Sequence, residues 1–210
     1  MSRQLPKSYN FYIMADQPEM NAQVPQEAPS APAPQPINAL EPGMKAMPVM
    51  VYTAQILAWG DIHIYESLRV SVILQSSTVP DYISLYSAKQ INLDSGADSA
   101  PVSFPELHIP TPIIIAFHLM PSHTEPLDYD ENEPNRKMEP ILAQVGKFKF
   151  NAHARMSSQT NIKSYVEVAR SEFISLYDLE IFQSNKPNQQ PMKVVMAQVR
   201  RTTAIFSIRS

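Results

Sequence analysis

The sequence predicts a mainly β fold of two related small β units, packed as a pseudo-twofold sandwich or distorted barrel, behind a disordered proline-rich N-terminal arm. Three observations predict it. Alternating β-branched and aromatic residues begin at Val49 and recur almost to the C-terminus. Two blocks of this kind carry matching segments in the same order. Residues 16–48, ahead of both blocks, carry eight prolines with few large apolar groups, a composition that buries too little surface to offset its ordering entropy.

Residues 1–48 form the arm. Its Pro29–Pro36 run has polyproline II character and reads as a semi-rigid tether. Tyr9, Phe11, Tyr12 and Ile13 have strand-like spacing and suit docking on a sheet edge, or simple fraying. The first β unit spans 49–120. Within it Tyr52, Ala54, Ile56, Ala58, Ile62 and Ile64 are apolar at even positions, as in a half-buried strand or tight strand pair bent at Gly60. Further strands are expected from Tyr82 to Leu93 and from Ile109 to Leu119, with Pro110 and Pro112 confining the start of the latter to an edge. Residues 121–138, rich in acids and proline, read as a linker. The second β unit, 139–210, offers extended segments at 141–155, 173–182 and 193–208, and Ile162, Val166, Ala169 and Phe173 have helical spacing.

The two blocks match at three places. Asp81–Tyr86 parallels Glu172–Tyr177, with Ile-Ser-Leu-Tyr identical in both. Leu68-Arg-Val-Ser71 parallels Ala154-Arg-Met-Ser157, which implies a longer link after the Arg-x-Ser element in the second copy, and Ile113–Leu119 parallels Thr202–Ile208. Collinear matches favour duplication. Units of this size are marginal alone, so the halves are expected to close over a common core. The order of extended strand, Arg-(Val/Met)-Ser, aromatic-Ile-Ser-Leu-Tyr strand and final β-branched strand resembles an uncharacterised family of small bacterial β domains, a domain of unknown function, present here as two diverged copies. That resemblance covers 50–120 and 139–208, and it implies no activity.

Composition removes several chemistries. The four glycines stand singly, so neither a phosphate-binding P-loop nor a dinucleotide fingerprint is available. Without cysteine there is no disulfide, thiolate nucleophile, iron–sulfur cluster or cysteine-ligated zinc. No cofactor is expected. His118, His123 and Glu125 lie close in sequence, but Pro121 interrupts them and they lack the spacing of a preformed metal site. His63 and His153 read as equivalent positions of the two copies. Ser84 and Ser175 sit between large apolar neighbours, with no elbow to expose a nucleophile, and read as structural.

Arg69 with Ser71, and Arg155 with Ser157, stand two residues apart at expected turns. A guanidinium fork beside a hydroxyl suits an anion, and it equally braces a turn by bonding carbonyls. Charge is uneven: residues 141–210 hold ten Lys or Arg against four acids, while the chain as a whole is at −3. Lys147, Lys149, Arg200 and Arg201 extend the candidate anion surface, which the 125–133 acids can occupy in cis. The function expected is a non-catalytic cytoplasmic interaction or scaffold protein that binds a protein partner or itself. The alternative is a basic-surface module for nucleic acid or a nucleotide-like anion through 139–210. No secretory signal or membrane span is read from the sequence.

Overall fold

The computed structural model describes residues 40–75, 79–94, 100–184, 186 and 189–208. All belong to the unit Ile37–Ser210. The expected docking segment Tyr9–Ile13 and most of the arm lie outside the described residues.

The fold is mainly β. The alternation expected over Tyr52–Tyr65, a half-buried strand or a tight strand pair, is mostly strand β2 (Ile56–Tyr65), with Tyr52 ending strand β1 (Met44–Tyr52), its hairpin partner. Thr53 makes the turn, its backbone N–H and Oγ1 both donating to the Ile56 carbonyl. A 3₁₀ turn at Val70–Val72 leads to β3 (Tyr82–Asn92) and β4 (Val102–Pro110), then a second such turn at Thr111–Ile113 and β5 (Ala116–Leu119). The expected strand from Ile109 to Leu119 is therefore two strand ends, split where Pro110 and Pro112 cannot donate to a ladder. The second half follows with β6 (Arg136–Val145), β7 (Phe148–Ser157), α1 (Ile162–Val168), β8 (Phe173–Gln183), β9 (Met192–Arg200) and β10 (Ile205–Ile208). The helical spacing after Asn161 is realised as α1, with Asn161 capping it by accepting from the Ser164 N–H at 2.9 Å.

Among the described residues, ten strands form one hydrogen-bonded sheet in the order β10-β6-β7-β8-β9-β5-β1-β2-β3-β4. Each half is thus a four-strand meander whose fifth strand returns beside the first. The pairings coincide: Met44 opposite Tyr65 corresponds to Arg136 opposite Ser157, and Tyr82 opposite Pro110 to Phe173 opposite Arg200. Both halves also break register at one place, between Trp59 and Asp61 and between Asn151 and His153. The strand facing each break turns through a residue of positive φ, Ser87 at 48° and Asp178 at 50°.

This register revises the sequence matches. Asp61 and His153 face Tyr86 and Tyr177, so His63 corresponds to Arg155, not to His153. Arg155 lies within strand β7 and not at a turn, while Arg69 stands at the N-terminal boundary of the first 3₁₀ turn, the position Asn161 holds at α1, but makes no side-chain capping bond. The three-residue Arg-x-Ser match is outweighed by the shared bulge and pairings. Nor is the second connection longer, since 66–81 joins β2 to β3 and 158–172 joins β7 to β8.

Gly60 sits at the first break because the backbones touch there. A Cβ on it would lie 2.8 Å from the Tyr86 carbonyl oxygen and 3.0 Å from the Ala88 Cα. Gly60→Ala is expected to cost about 2 kcal/mol, as overpacking against a backbone that cannot retreat, read as a lower urea midpoint at unchanged m-value.

The halves join where β5 pairs with β9, Ala116 opposite Val199. Arg200 fastens this joint. Its backbone N–H donates to the Ile115 carbonyl at 2.7 Å, and its side chain donates to the carbonyls of Ile114 at 2.8 Å and Thr111 at 2.7 Å. Pro110 holds the corresponding place at the end of β4 and has no N–H to offer. The interior is divided into two clusters, not gathered into one. Val49 and Val51 of β1 belong to the cluster with Ile62, Leu85 and Ile109, while Met50 and Tyr52 belong to the other, with Phe148, Phe150 and Leu176. The C-terminal part of β1, from Val49 to Tyr52, is therefore buried on both faces.

Candidate functional site

The residues proposed to bind an anion do not converge. Arg69 is exposed and donates to the Leu127 carbonyl at 3.3 Å, and Ser71 is buried with its Oγ unpartnered. Arg155 pairs with Glu133 at 2.6 Å and donates to the Asp130 carbonyl at 2.7 Å, while Ser157 ends β7. Lys147 pairs with Asp94 and donates to the Leu93 carbonyl at 2.8 Å. Arg200 is buried, pairs with Glu172 and lies 4.5 Å over the Phe173 ring. Arg201 donates to the Ser171 carbonyl at 3.0 Å. Lys149 stands exposed on β7. Five of these cations thus serve as braces, which is where guanidinium and ammonium donors go when chain carbonyls and acids lie in reach.

The acidic interval read as a linker lies as a strap, held by the first half at Glu125 and by the second from Asp128 to Glu133. Glu125 accepts from the backbone N–H groups of Val70 at 2.8 Å and Ser71 at 3.3 Å. Asp128 accepts from the Ser175 and Tyr177 hydroxyls, each at 2.6 Å. Gln198 and Gln75 donate to the same Ser175 Oγ, at 2.9 and 3.1 Å. Burial, then the Asp128 carboxylate beside it, raises the Tyr177 hydroxyl far above the ordinary phenol range and keeps it a donor. Tyr129 fills the centre of the strap. Its ring meets Tyr177 edge-on at 4.9 Å, and the Arg155 guanidinium lies over it at 4.4 Å. Hydrogen bonds from Arg155, then Arg136, lower the Glu133 carboxyl below its usual range.

The corresponding face of the first half is a groove of about 640 Å³. His63 and Tyr86, in the places of Arg155 and Tyr177, stack directly on each other with centroids 3.9 Å apart. No described side chain stands between them. Ile73, Leu68, Tyr65 and Tyr82 line the groove, and Glu41 lies at one end. The last three of those apolar groups are 43%, 60% and 56% exposed, and Leu40 and Val79 nearby are exposed as well. Tyr177, under its strap, is only 6% exposed. Exposed large apolar groups gathered at one concavity mark a docking surface more than scattered ones do.

The same turn leads into both faces. Glu41-Pro42-Gly43 precedes β1 as Glu133-Pro134-Asn135 precedes β6, and Gly43 and Asn135 both take positive φ, 81° and 61°. This repeat was available in the sequence, but one copy falls in the proline-rich stretch and the other in the acidic one. Asp128 and Gln198 were likewise unread as partners of Ser175, and Tyr129 as the partner of Tyr177, because nothing local to them signals the contacts. Ser84, in the place of Ser175, meets His108 instead, at 2.9 Å.

His118 is a strand residue. It is buried on β5, where Nδ1–H donates to the Leu119 carbonyl at 2.6 Å and Nε2 accepts from the Tyr52 hydroxyl at 2.9 Å. Among the described residues no group of three or more His, Asp or Glu is placed to hold a metal ion. No described helix is long and apolar enough to cross a membrane. Comparison with known proteins gives no match: no family model matches the chain, and no curated protein or solved structure matches it either.

Proposed function

We propose that the chain is a non-catalytic interaction protein whose first half receives an extended polypeptide segment, carrying a bulky apolar side chain, in the groove beside His63 and Tyr86. One observation carries this reading: the equivalent face of the second half already holds such a segment, the chain's own 125–133, with Tyr129 seated on Tyr177. The halves are taken as two copies of one ancestral module, of the kind the sequence resembles, and their common strand order and register support that. The basic-surface alternative loses weight because Arg69, Lys147, Arg155, Arg200 and Arg201 are engaged within the chain.

Photo-crosslinking tests the proposal. Benzoylphenylalanine is placed at Tyr82 of the full chain, with Val195 on β9, 47% exposed, as the control position. The expected product joins residue 82 to a polypeptide segment outside 40–208, of the same or another copy. Crosslinking at 82 that is no higher than at 195 overturns the reading.

A further inference from the structure

We infer that β10 pairs edge to edge with β10 of a second copy of this chain, antiparallel, with Phe206 of each copy opposite Ile208 of the other. The two sheets then run into one. This edge lies at the far end of the sheet from β2 and β3, which carry the groove, and stands apart from it.

The chain already contains the precedent. β10 stands where β5 stands in the first half, residue for residue. Ala116 and Leu119 lie opposite Tyr52 and Val49, while Ile205 and Ile208 lie opposite Gln144 and Ile141, the same places counted from the starts of β1 and β6. The outer edge of β5 is a joining edge, since it takes β9. There the Ile115 carbonyl accepts from the Arg200 N–H, so the backbone groups of Ile115 and, two residues on, of Phe117 face outward. Their counterparts on β10 are Ala204 and Phe206, followed by Ile208. Among the described residues no strand covers that edge.

The residues select the occupant. An edge strand is ordinarily guarded by a proline, a charge or a bulge. β4, at the other end of the sheet, carries Pro105 and Pro110, whereas Ile205-Phe206-Ser207-Ile208 holds neither proline nor charge, and Ile205 and Ile208 are 70% and 56% exposed. β4 of another copy is a poor partner, because Pro110 lacks the amide that Arg200 supplies at the internal joint. A second β10 is a good one. Run antiparallel about a twofold axis between the two Ser207 residues, it exchanges backbone hydrogen bonds at both Phe206–Ile208 pairs. The same pairs set an aromatic ring against a branched side chain on one face, with no charge against its like. Such a contact is isologous and closes at two copies. Four residues a side bury less than the ~1,200 Å² of a standard interface, so the dimer is expected to dissociate on dilution.

Because the chain has no cysteine, a single introduced thiol reports one contact. In this register Ser207 faces Ser207 of the other copy as a non-hydrogen-bonded pair, whose Cα separation of about 4.5 Å lies within disulfide range. Full-length Ser207→Cys is expected to form a disulfide-linked dimer in air about tenfold faster than Ser103→Cys on the exposed part of β4, since pairing raises the local thiol concentration. The native chain, followed by sedimentation over a dilution series from millimolar to micromolar, is expected to move from twice 23.6 kDa toward one copy. Ile208→Pro removes an outward amide at the exposed end of the strand, and is expected to stay monomeric and to slow the Ser207→Cys link to the Ser103→Cys rate. Ile208→Lys keeps the amide but sets a charge opposite Phe206; it is expected to weaken the dimer too, and carries the test should the proline variant lose its fold. A native chain that is monomeric at every concentration overturns the inference, as does a Ser207→Cys chain that links no faster than Ser103→Cys. A dimer that both Ile208 variants leave intact overturns it as well, by placing the contact elsewhere.

Discussion

Arg200→Met is expected to lower the free energy of unfolding by about 3 kcal/mol, since it strips two buried carbonyls of their only charged donor at the joint between the halves. The Ile114 and Thr111 carbonyls accept from this one guanidinium, in a place closed to water by Phe173 and β5. Methionine restores much of the apolar stem but no donor. The Glu172 carboxylate left behind is mostly solvent-exposed and adds little to the loss. Arg200→Lys is expected to recover only part of the stability, because an ammonium cannot span both carbonyls as a planar fork does. Arg201→Met, next in sequence with a single donation to Ser171, is expected to cost about 1 kcal/mol or less. Urea unfolding at constant pH separates these outcomes, and an Arg200→Met midpoint equal to that of the native chain would refute the account. Reversing charge at Arg200 to probe anion binding therefore reports on folding instead.

Acid is expected to weaken the fold through His118. Burial lowers its pKa from 6.5 to about 4, against a smaller opposing effect of its hydrogen bond to the Leu119 carbonyl. The sign follows from which state takes up the proton. Between pH 6.5 and about 4 the unfolded chain binds it and the folded chain does not, so stability is complete above 6.5 and falls as pH drops through this window. The full loss is of the order of 3 kcal/mol, at up to about 1.4 kcal/mol per pH unit. The neutral ring is fixed in one tautomer, with Tyr52 donating to Nε2, and a second proton there would face a hydroxyl whose own ionisation burial suppresses. Stability of native chain and His118→Leu, measured from pH 7 to 4, is expected to differ in slope by up to one proton. Parallel curves would show that His118 does not govern the acid limb.

The β class, most strands and α1 were legible because they rest on local periodicity. The alternation around Ile62 and Ile64, the Ile-Ser-Leu-Tyr pair and the helical spacing from Ile162 all report which side of an element faces inward. β4 was missed up to Ile109 because Pro105 and Pro110 break the pattern on an edge strand, where missing donors are tolerated. The apolar count did not reveal that β5 enters between β1 and β9, since that depends on pairings between residues far apart in sequence. The same limit applies to the strap. Glu125, Asp128 and Glu133 have the composition of a solvated linker, and only the folded positions of Val70, Ser175 and Arg155 turn them into acceptors.

Pro110 has a consequence beyond its own strand. The β5–β9 joint shows that the fifth strand of one half can zip onto the fourth strand of the other, and β10 and β4 are left at the two ends of the sheet. Repetition of that joint between molecules would add copies without limit and give a filament. A proline where the fastening arginine would stand removes both the amide and the guanidinium from that end, which disfavours repeating the joint there.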